Sequence, residues 1–196
     1  MNRPLKRVKL EPNKRKLLEA ILYLIERGER EREPLTQYQI VKTLFLADTA
    51  HLNRYGRPIT FDNYSALEFG PVPEEAYDML KPSYSWRLKF EAEGPPWERV
   101  PVGRGTAYHY THPKRAPNLR ALSRSDIQHL NAALDRVREL GFGGTRDETH
   151  THPAYVEAWN HRGDAKRAPI DYALLLDSAD REAVEDLAFA SAHRAG

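Results

Sequence analysis

The sequence predicts a mainly α-helical α+β fold, a compact helical domain that carries a small antiparallel β-hairpin or sheet. Apolar residues recur at three- and four-residue spacing in several long segments, which is typical of amphipathic helices. One central segment instead has two short strand-like runs around a glycine-rich turn. The chain has 196 residues and no cysteine, so its core must form without disulfides, and a domain of this size can do so.

The first predicted helix spans residues 14–27, where leucine and isoleucine recur at helical spacing. Its apolar face is broad, so we expect this helix to be buried. Gly28 follows as a stop signal, and Pro34 closes the charged linker after it.

The second predicted helix has a clear start and a clear end. Thr36 and Gln39 form a T-x-x-Q capping box, in which each side chain accepts from the backbone N–H of the other. We expect the helix to end near residues 53–55, because Gly56 and Pro58 follow closely.

The polar residues of this second helix are assigned from its periodicity. Lys42, Asp48 and Arg54 lie off the apolar stripe, which predicts that they are on the surface. Asp48 and His51 are three residues apart, so we interpret them as a helix-surface pair.

Two prolines stiffen the segment Gly70-Pro71-Val72-Pro73. Each proline fixes its own φ and pushes the preceding residue toward an extended conformation, so we predict a rigid turn here. Glu74 and Glu75 then occupy the first turn of a short helix, where the helix dipole favours acidic side chains.

Residues 82–117 differ from the rest in being rich in proline, glycine and aromatic residues. Within them, residues 97–102 and 106–111 flank Gly103-Arg104-Gly105. This arrangement predicts a β-hairpin, as part of a sheet of two or three strands.

Further helices are predicted in the C-terminal half. Ser123 caps a strongly periodic helix that Gly141 ends, and a short helical piece follows at residues 146–150. Residues 153–159 form another helix, since they begin with a proline that suits a first helical turn. Residues 180–193 form a polar helix with few apolar contacts.

Patterns for catalysis or metal binding are weak. His150 and His152 are two residues apart, but a metal site would need a third ligand. Asp48 and His51 could supply part of a hydrolytic triad, yet no nucleophile elbow and no phosphate-binding loop is present. We therefore expect a protein that is not an enzyme, with no catalytic residues, no metal and no cofactor, and we keep a metal site and a hydrolase as alternatives.

Charge and hydropathy limit the compartment and the partners. The net charge is +2, no apolar run is long enough to span a bilayer, and no export signal is evident, so we expect a cytoplasmic protein without membrane contact. The first thirteen residues form a basic arm. We interpret the arm as a solvated terminus, with contact to nucleic acid or an acidic partner as the alternative.

Aromatic side chains beside arginines 54, 57 and 87 indicate a protein-binding surface in the middle of the chain. Tyrosine, tryptophan and arginine are the residue types that dominate interface hot spots. We expect about half of these rings to fill the core instead.

Several short motifs stand in a fixed order along the chain. They are Lys42 with Leu44, Leu46, Ala47 and Asp48, then Tyr55-Gly56-Arg57-Pro58-Ile59-Thr60, Gly70-Pro71-Val72 with Tyr77, Leu122-Ser123, Thr149-His150, Pro153-Ala154 with Tyr155 and Trp159, and Ile170-Asp171-Tyr172. In this order they resemble the Panacea domain of SocA-like antitoxins, and the resemblance covers about residues 14–177. Phe45 departs from the tyrosine that is usual in the family, and residues 82–117 carry no recognisable signature.

The resemblance implies an antitoxin that binds a cognate protein toxin directly and blocks it. Some SocA-like members also deliver the toxin to a protease, so a protease or its unfoldase is a second implied partner. The resemblance brings no catalytic residues and does not identify the toxin. A DNA-binding regulator of its own operon is the alternative, because residues 14–27 and 36–53 with the later hairpin loosely resemble a winged helix.

Domain boundaries and partner contacts follow from these assignments. We predict a basic arm at residues 1–13, a Panacea-like domain at residues 14–177 and a C-terminal helix or tail at residues 178–196. Partner contacts are expected around the two turns, with rings as anchors and Arg57 as a charged contact. The residues predicted to bind the partner are Arg54, Tyr55, Arg57, Phe69, Pro71, Val72, Tyr77 and Trp86.

Overall fold

A computed structural model of the chain describes residues 7–86, 91, 93–105 and 107–193. Over these residues the chain forms six α-helices and two small antiparallel sheets, so the predicted mainly helical α+β class is confirmed. None of the helices that it describes has the length and apolar character needed to cross a membrane.

The helices occupy most of the described chain. In chain order they are α1 (Lys14–Arg30), α2 (Gln37–Tyr55), α3 (Glu74–Met79), α4 (Arg124–His150), α5 (Pro153–Asn160) and α6 (Arg181–Ala192), with short 3₁₀ turns at Leu119–Ala121 and Tyr172–Leu175.

The strands form two three-stranded antiparallel sheets. They are β1 (Leu35–Thr36), β2 (Tyr64–Leu67), β3 (Gly70–Pro73), β4 (Glu98–Pro101), β5 (Tyr108–Thr111) and β6 (Ala168–Pro169). One sheet has the strand order β1–β5–β4 and the other has the order β3–β2–β6.

Helix α1 is longer than predicted, because Gly28 lies inside it rather than after it. The following linker folds back over this glycine: Glu33 N donates to Gly28 O at 2.8 Å, and a Cβ at residue 28 would lie 2.9 Å from Glu33 O. The prediction that Gly28 ends the helix was therefore wrong, and its role is to allow a close approach of the backbone.

Both predicted ends of α2 are confirmed. Thr36 Oγ1 accepts from Gln39 N at 3.3 Å and Gln39 Oε1 accepts from Thr36 N at 2.9 Å, which completes the capping box. Gly56 ends the helix in the left-handed conformation, with φ of 70°.

The segment from Gly70 to Pro73 is strand β3, so the predicted rigid turn was wrong. It pairs with β2 from Leu67↔Gly70 to Tyr64↔Pro73, and the turn lies before it, at residues 68 and 69. Proline has a φ compatible with a strand, and β3 lies at the edge of its sheet, where a missing N–H removes no ladder bond.

The predicted hairpin is confirmed by the pairing of β4 with β5. The third strand of this sheet, β1, comes from the two residues that precede α2, so the start of α2 is tied to the sheet. Thr106, the first residue of the predicted second strand, lies outside the described residues, and β5 begins at Tyr108.

Helix α4 is interrupted at Gly141, whose φ of 63° and ψ of −170° are not helical, and it then continues to His150. The predicted break and the predicted helical piece after it are both confirmed. Ser123 caps the start of α4 by a capping box with Asp126, as its sequence position predicts.

Helices α2 and α4 run antiparallel along each other. At one end the Tyr55 ring lies 5.5 Å from the His129 ring. At the other end the Tyr38 ring lies 4.6 Å from the Phe142 ring.

Two apolar clusters form the core. One surrounds α1, whose middle is buried on all sides, together with the inner face of α2. The other lies between α2, β2, α5 and the C-terminal segments, and it contains Phe45, Tyr64, Tyr155, Tyr172 and Val184.

The two ends of the described chain meet at the second cluster. Leu10 is buried there, and Glu11 N donates to Ser191 Oγ at 2.8 Å. Helix α6 matches the predicted polar helix and is capped by Asp180. The division at residues 13 and 177 stays a prediction, and residues 1–6 of the basic arm lie outside the described residues.

A buried carboxylate on α2 holds the segment that follows the helix. Asp48 accepts from the backbone N–H of Ile59 at 2.8 Å and of Thr60 at 3.0 Å, from the Thr60 hydroxyl, and from Tyr64 OH at 2.7 Å. Burial raises the pKa of Asp48, and these donors oppose the rise. The prediction that Asp48 is on the surface was wrong, because periodicity does not distinguish solvent from a set of buried donors.

Asp48→Ala is expected to lower the free energy of unfolding by about 3 kcal/mol, because buried donors lose their acceptor. Urea denaturation followed by circular dichroism measures the change. Asp78→Ala is the control, since Asp78 is an exposed residue of α3 that pairs with Lys81, and it should cost less than about 0.5 kcal/mol. An Asp48→Ala protein as stable as the control would contradict an anchoring role for this carboxylate.

Candidate partner-binding site

An open groove of about 890 Å³ lies where the start of α2, strand β5 and the middle of α4 meet. The residues that line it include aromatic and apolar side chains with a few polar ones between them. They are Glu33, Thr36, Gln37, Tyr38, Gln39, Phe69, Ala107, Tyr108, Val137, Arg138, Gly141 and Phe142.

Three aromatic rings of this groove form one contiguous cluster. The ring centroids of Tyr38 and Phe142 are 4.6 Å apart, and those of Phe69 and Phe142 are 6.0 Å apart. Phe69 is 51% exposed and Phe142 is 53% exposed. Connected exposed rings are typical of an interaction surface, since scattered single apolar residues are what an ordinary surface carries. We refer to Tyr38, Phe69 and Phe142 as the ring cluster.

Each ring is presented by a defined feature of the backbone. Phe69 lies in the turn between β2 and β3, and Phe142 directly follows the break in α4. Tyr38 lies in the capped first turn of α2, and its hydroxyl donates to Phe142 O at 3.1 Å. The capping box, the tight turn and the break in α4 therefore bring the cluster together.

The charges beside the ring cluster are already paired. Arg138 forms ion pairs with Glu31 and Glu33, and its guanidinium also donates to Glu33 O at 3.3 Å. This side of the groove is therefore close to neutral and suits an apolar side chain of a partner.

A buried amine lies beneath Phe69. Lys42 is 1% exposed, and its Nζ donates to Pro71 O at 2.8 Å. Burial lowers the pKa of this amine to about 7. The prediction that Lys42 is on the surface was wrong, because its partner is a carbonyl of a strand that the helical periodicity could not reveal.

The backbone at Gly70 makes a close approach to this amine. Gly70 has φ of 101°, and a Cβ there would lie 2.6 Å from Lys42 Nζ and 2.8 Å from Thr149 Oγ1. The next residue of α4, His150, stacks on Tyr155 with ring centroids 4.5 Å apart. Within the described residues, His150 Nε2 is buried and makes no hydrogen bond, and burial lowers the pKa of this imidazole.

The predicted partner-binding residues are not gathered in one place. Phe69 belongs to the ring cluster, whereas Tyr55 lies at the opposite end of α2. Tyr55 is 49% exposed, and its ring packs 4.6 Å from His51. Arg54 beside it is exposed, while Arg57 pairs with the buried Asp126 at 3.3 Å.

The remaining predicted residues are wholly or half buried. Pro71 and Val72 are buried in β3. Tyr77 is half-buried with Lys81 Nζ 4.1 Å above its ring, and Trp86 is half-buried with its ring 5.3 Å from Trp97. Arg87 lies outside the described residues.

His51 and Asp48 engage different partners, so their assignment as a helix-surface pair was wrong. His51 is fully buried, and its Nδ1 donates to Arg57 O at 2.8 Å because a carbonyl can only accept. Its Nε2 lies 3.0 Å from Ser125 Oγ, and burial lowers the pKa of the ring. This imidazole thus joins the end of α2 to the start of α4.

The other histidines have local roles where the structure describes them. His152 Nδ1 accepts from Ala154 N at 3.3 Å and so caps α5, and His112 lies 3.4 Å from Glu98. Among the described residues, no group of three or more histidine, aspartate or glutamate side chains is placed to hold a metal ion.

Sequence reasoning missed Tyr38, Phe142 and the burial of Lys42. A signal for Phe142 exists, since it stands between Gly141 and Gly143, outside the apolar periodicity of α4. Tyr38 and Phe142 are 104 residues apart in the chain, and no local pattern indicates that they touch.

A scan against protein-family models matches residues 40–155, more than half of the chain, to the family described as antitoxin SocA-like, Panacea domain. The match begins inside α2 and extends into α5, so it contains Lys42, Phe69 and Phe142. The resemblance found in the sequence is thereby confirmed. Searches of the curated proteins and of the solved structures gave no match.

Gly70→Ala should lower the free energy of unfolding by about 1–3 kcal/mol more than Gly94→Ala does. The two glycines have nearly the same φ, 101° and 103°, but a Cβ at residue 94 would meet nothing within 4 Å. The comparison therefore separates the crowding at Lys42 and Thr149 from the backbone strain that both variants share. Thermal and urea unfolding measure the difference, and equal losses in the two variants would show that the close approach is not constraining.

Proposed function

The chain belongs to the family of SocA-like antitoxins with a Panacea domain, and from this we propose that it neutralises a cognate protein toxin by binding it directly. The observation that carries the proposal is the ring cluster, in which Phe69 and Phe142 are exposed and Tyr38 is half-buried. Toxin docking in the groove would bury these rings.

The chemistry of the groove supports an apolar anchor from the toxin. Aromatic rings supply a large contact area and have few rotatable bonds, so ordering them costs little entropy. Their backbone supports, the α2 cap and the β2–β3 turn, hold them in place before binding. A preorganised aromatic site of this kind is the usual centre of an interface hot spot.

A second contact at the other end of α2 is part of the proposal. Arg54 and Tyr55 are exposed there, and Arg57 is partly exposed beside them. These three residues would touch a toxin large enough to extend along the face formed by α2 and α4. Pro71 and Val72 would contribute by shaping β3, and Tyr77 and Trp86 by packing beneath the neighbouring loops.

The alternative of a DNA-binding regulator has less support. Helix α2 would have to present cations to phosphate groups, but Lys42 is buried and Arg54 is at the far end of the helix. Delivery of the toxin to a protease is a further hypothesis that the family resemblance brings. Toxin levels in cells with and without this protein separate inhibition by binding from delivery for degradation.

Coexpression with the product of the adjacent gene tests the proposed function. We expect that product to be toxic alone, harmless with this protein, and recovered with it as a complex. Because the groove is close to neutral, the dissociation constant should change by less than about threefold between low and high salt. A steep fall in affinity with salt would instead favour a charge-driven contact, and a neighbour that is harmless alone or does not copurify would contradict the antitoxin function.

Phe69→Ser and Phe142→Ser should each weaken toxin binding by about 30-fold or more, because each removes about 2 kcal/mol of anchor contact. Phe189→Ser on α6 is the matched control, since Phe189 is also an exposed phenylalanine but lies outside the groove. Calorimetric titration measures the affinities, and circular dichroism checks that the variants fold. Equal affinity of all three variants and the wild-type protein would rule out docking at the ring cluster.

A further inference from the structure

The backbone hydrogen bonds that β3 makes with β2 all lie on one side of the strand. In an antiparallel ladder, residues that exchange hydrogen bonds with the partner strand alternate with residues that face away from it. Glu74 N donates to Asn63 O at 2.8 Å, which sets this alternation. Val72 and Gly70 therefore direct their N–H groups to β2.

The opposite side of β3 is built from prolines. Pro71 and Pro73 face away from β2, and neither has an N–H group that would be left without an acceptor. The carbonyls of Pro71 and Pro73 remain on that side, and the carbonyl of Pro71 accepts from Lys42 Nζ. One amine thus satisfies the outward carbonyl in the middle of the strand.

This amine has little room to move. A Cβ at Gly70 would lie 2.6 Å from Lys42 Nζ and 2.8 Å from Thr149 Oγ1, so both groups lie against the backbone that directly follows Phe69. The amine, the strand and the exposed ring are therefore mechanically joined. Any rearrangement that needs more space around Lys42 Nζ must therefore displace β3, and Phe69 moves with the strand.

The groups that face the amine do not offer it a counter-charge. From α2 the Tyr38 ring lies 5.4 Å from Nζ, and β3 contributes the Pro71 carbonyl. From α4 come Thr149, with its hydroxyl, and His150, whose pKa is lowered by burial and then by the positive charge of Lys42, with Arg146 and Asp147 beyond it. No carboxylate among the described residues compensates for the burial of the amine.

We propose that Lys42 is a proton-controlled latch for the groove. The uncharged amine holds β3 and Phe69 in their present positions, and protonation of the amine loosens the strand and weakens toxin binding. The statement about the strand stands by itself, whereas the statement about the toxin rests on the proposed function.

The direction of the effect follows from linkage. The pKa of Lys42 is about 7 in the folded chain and 10.5 when unperturbed, so between these values the unfolded chain binds more protons. Stability from this group is complete above pH 10.5 and is lost as the pH falls through 7. Below that pH an ammonium group lies in a site that excludes water, and opening of β3 lets it become hydrated.

Asp62 titrates in the same range and must be separated from Lys42. Burial raises its pKa to about 7, and its carboxylate accepts from Glu75 N and Ala76 N at the start of α3. The sign is opposite, because an acid with a raised pKa in the folded chain favours that chain as the pH falls. Lys42→Met leaves Asp62 unchanged, so the difference between the two proteins reports on Lys42.

Amide hydrogen exchange of the full-length chain without any toxin tests the strand. Protection factors of Gly70 and Val72, corrected for the intrinsic pH dependence of exchange, are measured at pH 8 and pH 6. We expect the wild-type protein to lose about tenfold more protection than Lys42→Met, which is the fold-change that a Lys42 pKa of about 7 in the folded chain gives over this interval. Lys42→Met, whose side chain is apolar, one atom shorter and does not titrate, is the reference for this difference. Lys81→Met, at a lysine whose side chain is 39% exposed, should behave like the wild-type protein.

A second measurement, on the wild-type protein, is available if the Lys42→Met protein does not fold. The carbon-13 chemical shift of Lys42 Cε in the wild-type protein reports its titration directly. A midpoint near 7 supports the latch. A midpoint near 10.5, or a change of protection with pH that is the same in the wild-type protein and in Lys42→Met, overturns it.

Toxin affinity at the two pH values completes the test. Weaker binding of the wild-type protein at pH 6 than at pH 8, without such a change in Lys42→Met, supports the coupling of the latch to the groove. Loss of strand protection with no toxin binding at either pH keeps the latch and removes the proposed function. Toxin binding that is equal at both pH values, with the same pH dependence of protection in the wild-type protein and in Lys42→Met, keeps the proposed function and removes the latch.

Discussion

The hydrogen bond from the buried Lys42 amine to the carbonyl of Pro71 ties helix α2 to the edge strand of the second sheet. An edge strand that packs against helices must satisfy its outward backbone groups without water. Prolines remove the donors from that side of β3, and the amine satisfies the carbonyl of Pro71. The position of Phe69, and so the shape of the groove, depends on this combination of prolines and a buried amine.

Helix α2 carries two further buried polar side chains that hydrogen-bond to other segments of the chain. Asp48 accepts from the backbone that follows the helix, and His51 links the Arg57 carbonyl to the start of α4. These buried polar side chains hold the segment that directly follows α2 and, through Ser125, the start of α4. Several of the motifs that resemble the antitoxin family are therefore the parts of a scaffold, and the exposed rings that the scaffold presents are the candidate for recognition.

Local signals in the sequence predicted the helices and their ends, because caps and breaks act within a few residues. The capping box at Thr36, the left-handed Gly56 and the break at Gly141 are examples. The strand from Gly70 to Pro73 was not predicted, since two prolines also fit a turn, and only the presence of β2 decides between them. The burial of Lys42 could not be predicted, because the carbonyl that it meets comes from another element.

The candidate site was predicted only in part, for a related reason. Phe69 was identified among the aromatic residues of the middle segment, but its neighbours in space, Tyr38 and Phe142, come from the starts of two separate helical segments. The other predicted residues differ in burial: Tyr55 is exposed at the far end of α2, while Val72 is a buried residue of β3. The residue types indicated a binding surface, but tertiary packing determines which of the aromatic rings are exposed.

Hydrogen exchange with mass spectrometry on the complex with the toxin tests most directly whether recognition occurs at the ring cluster. The peptides that contain Tyr38, Phe69 and Phe142 are compared in the free and the bound protein. Protection of all three on binding is the expected result, with a smaller change around Tyr55. Protection confined to the β4–β5 hairpin or to α6, with the ring-cluster peptides unchanged, would contradict a toxin-binding role for the groove.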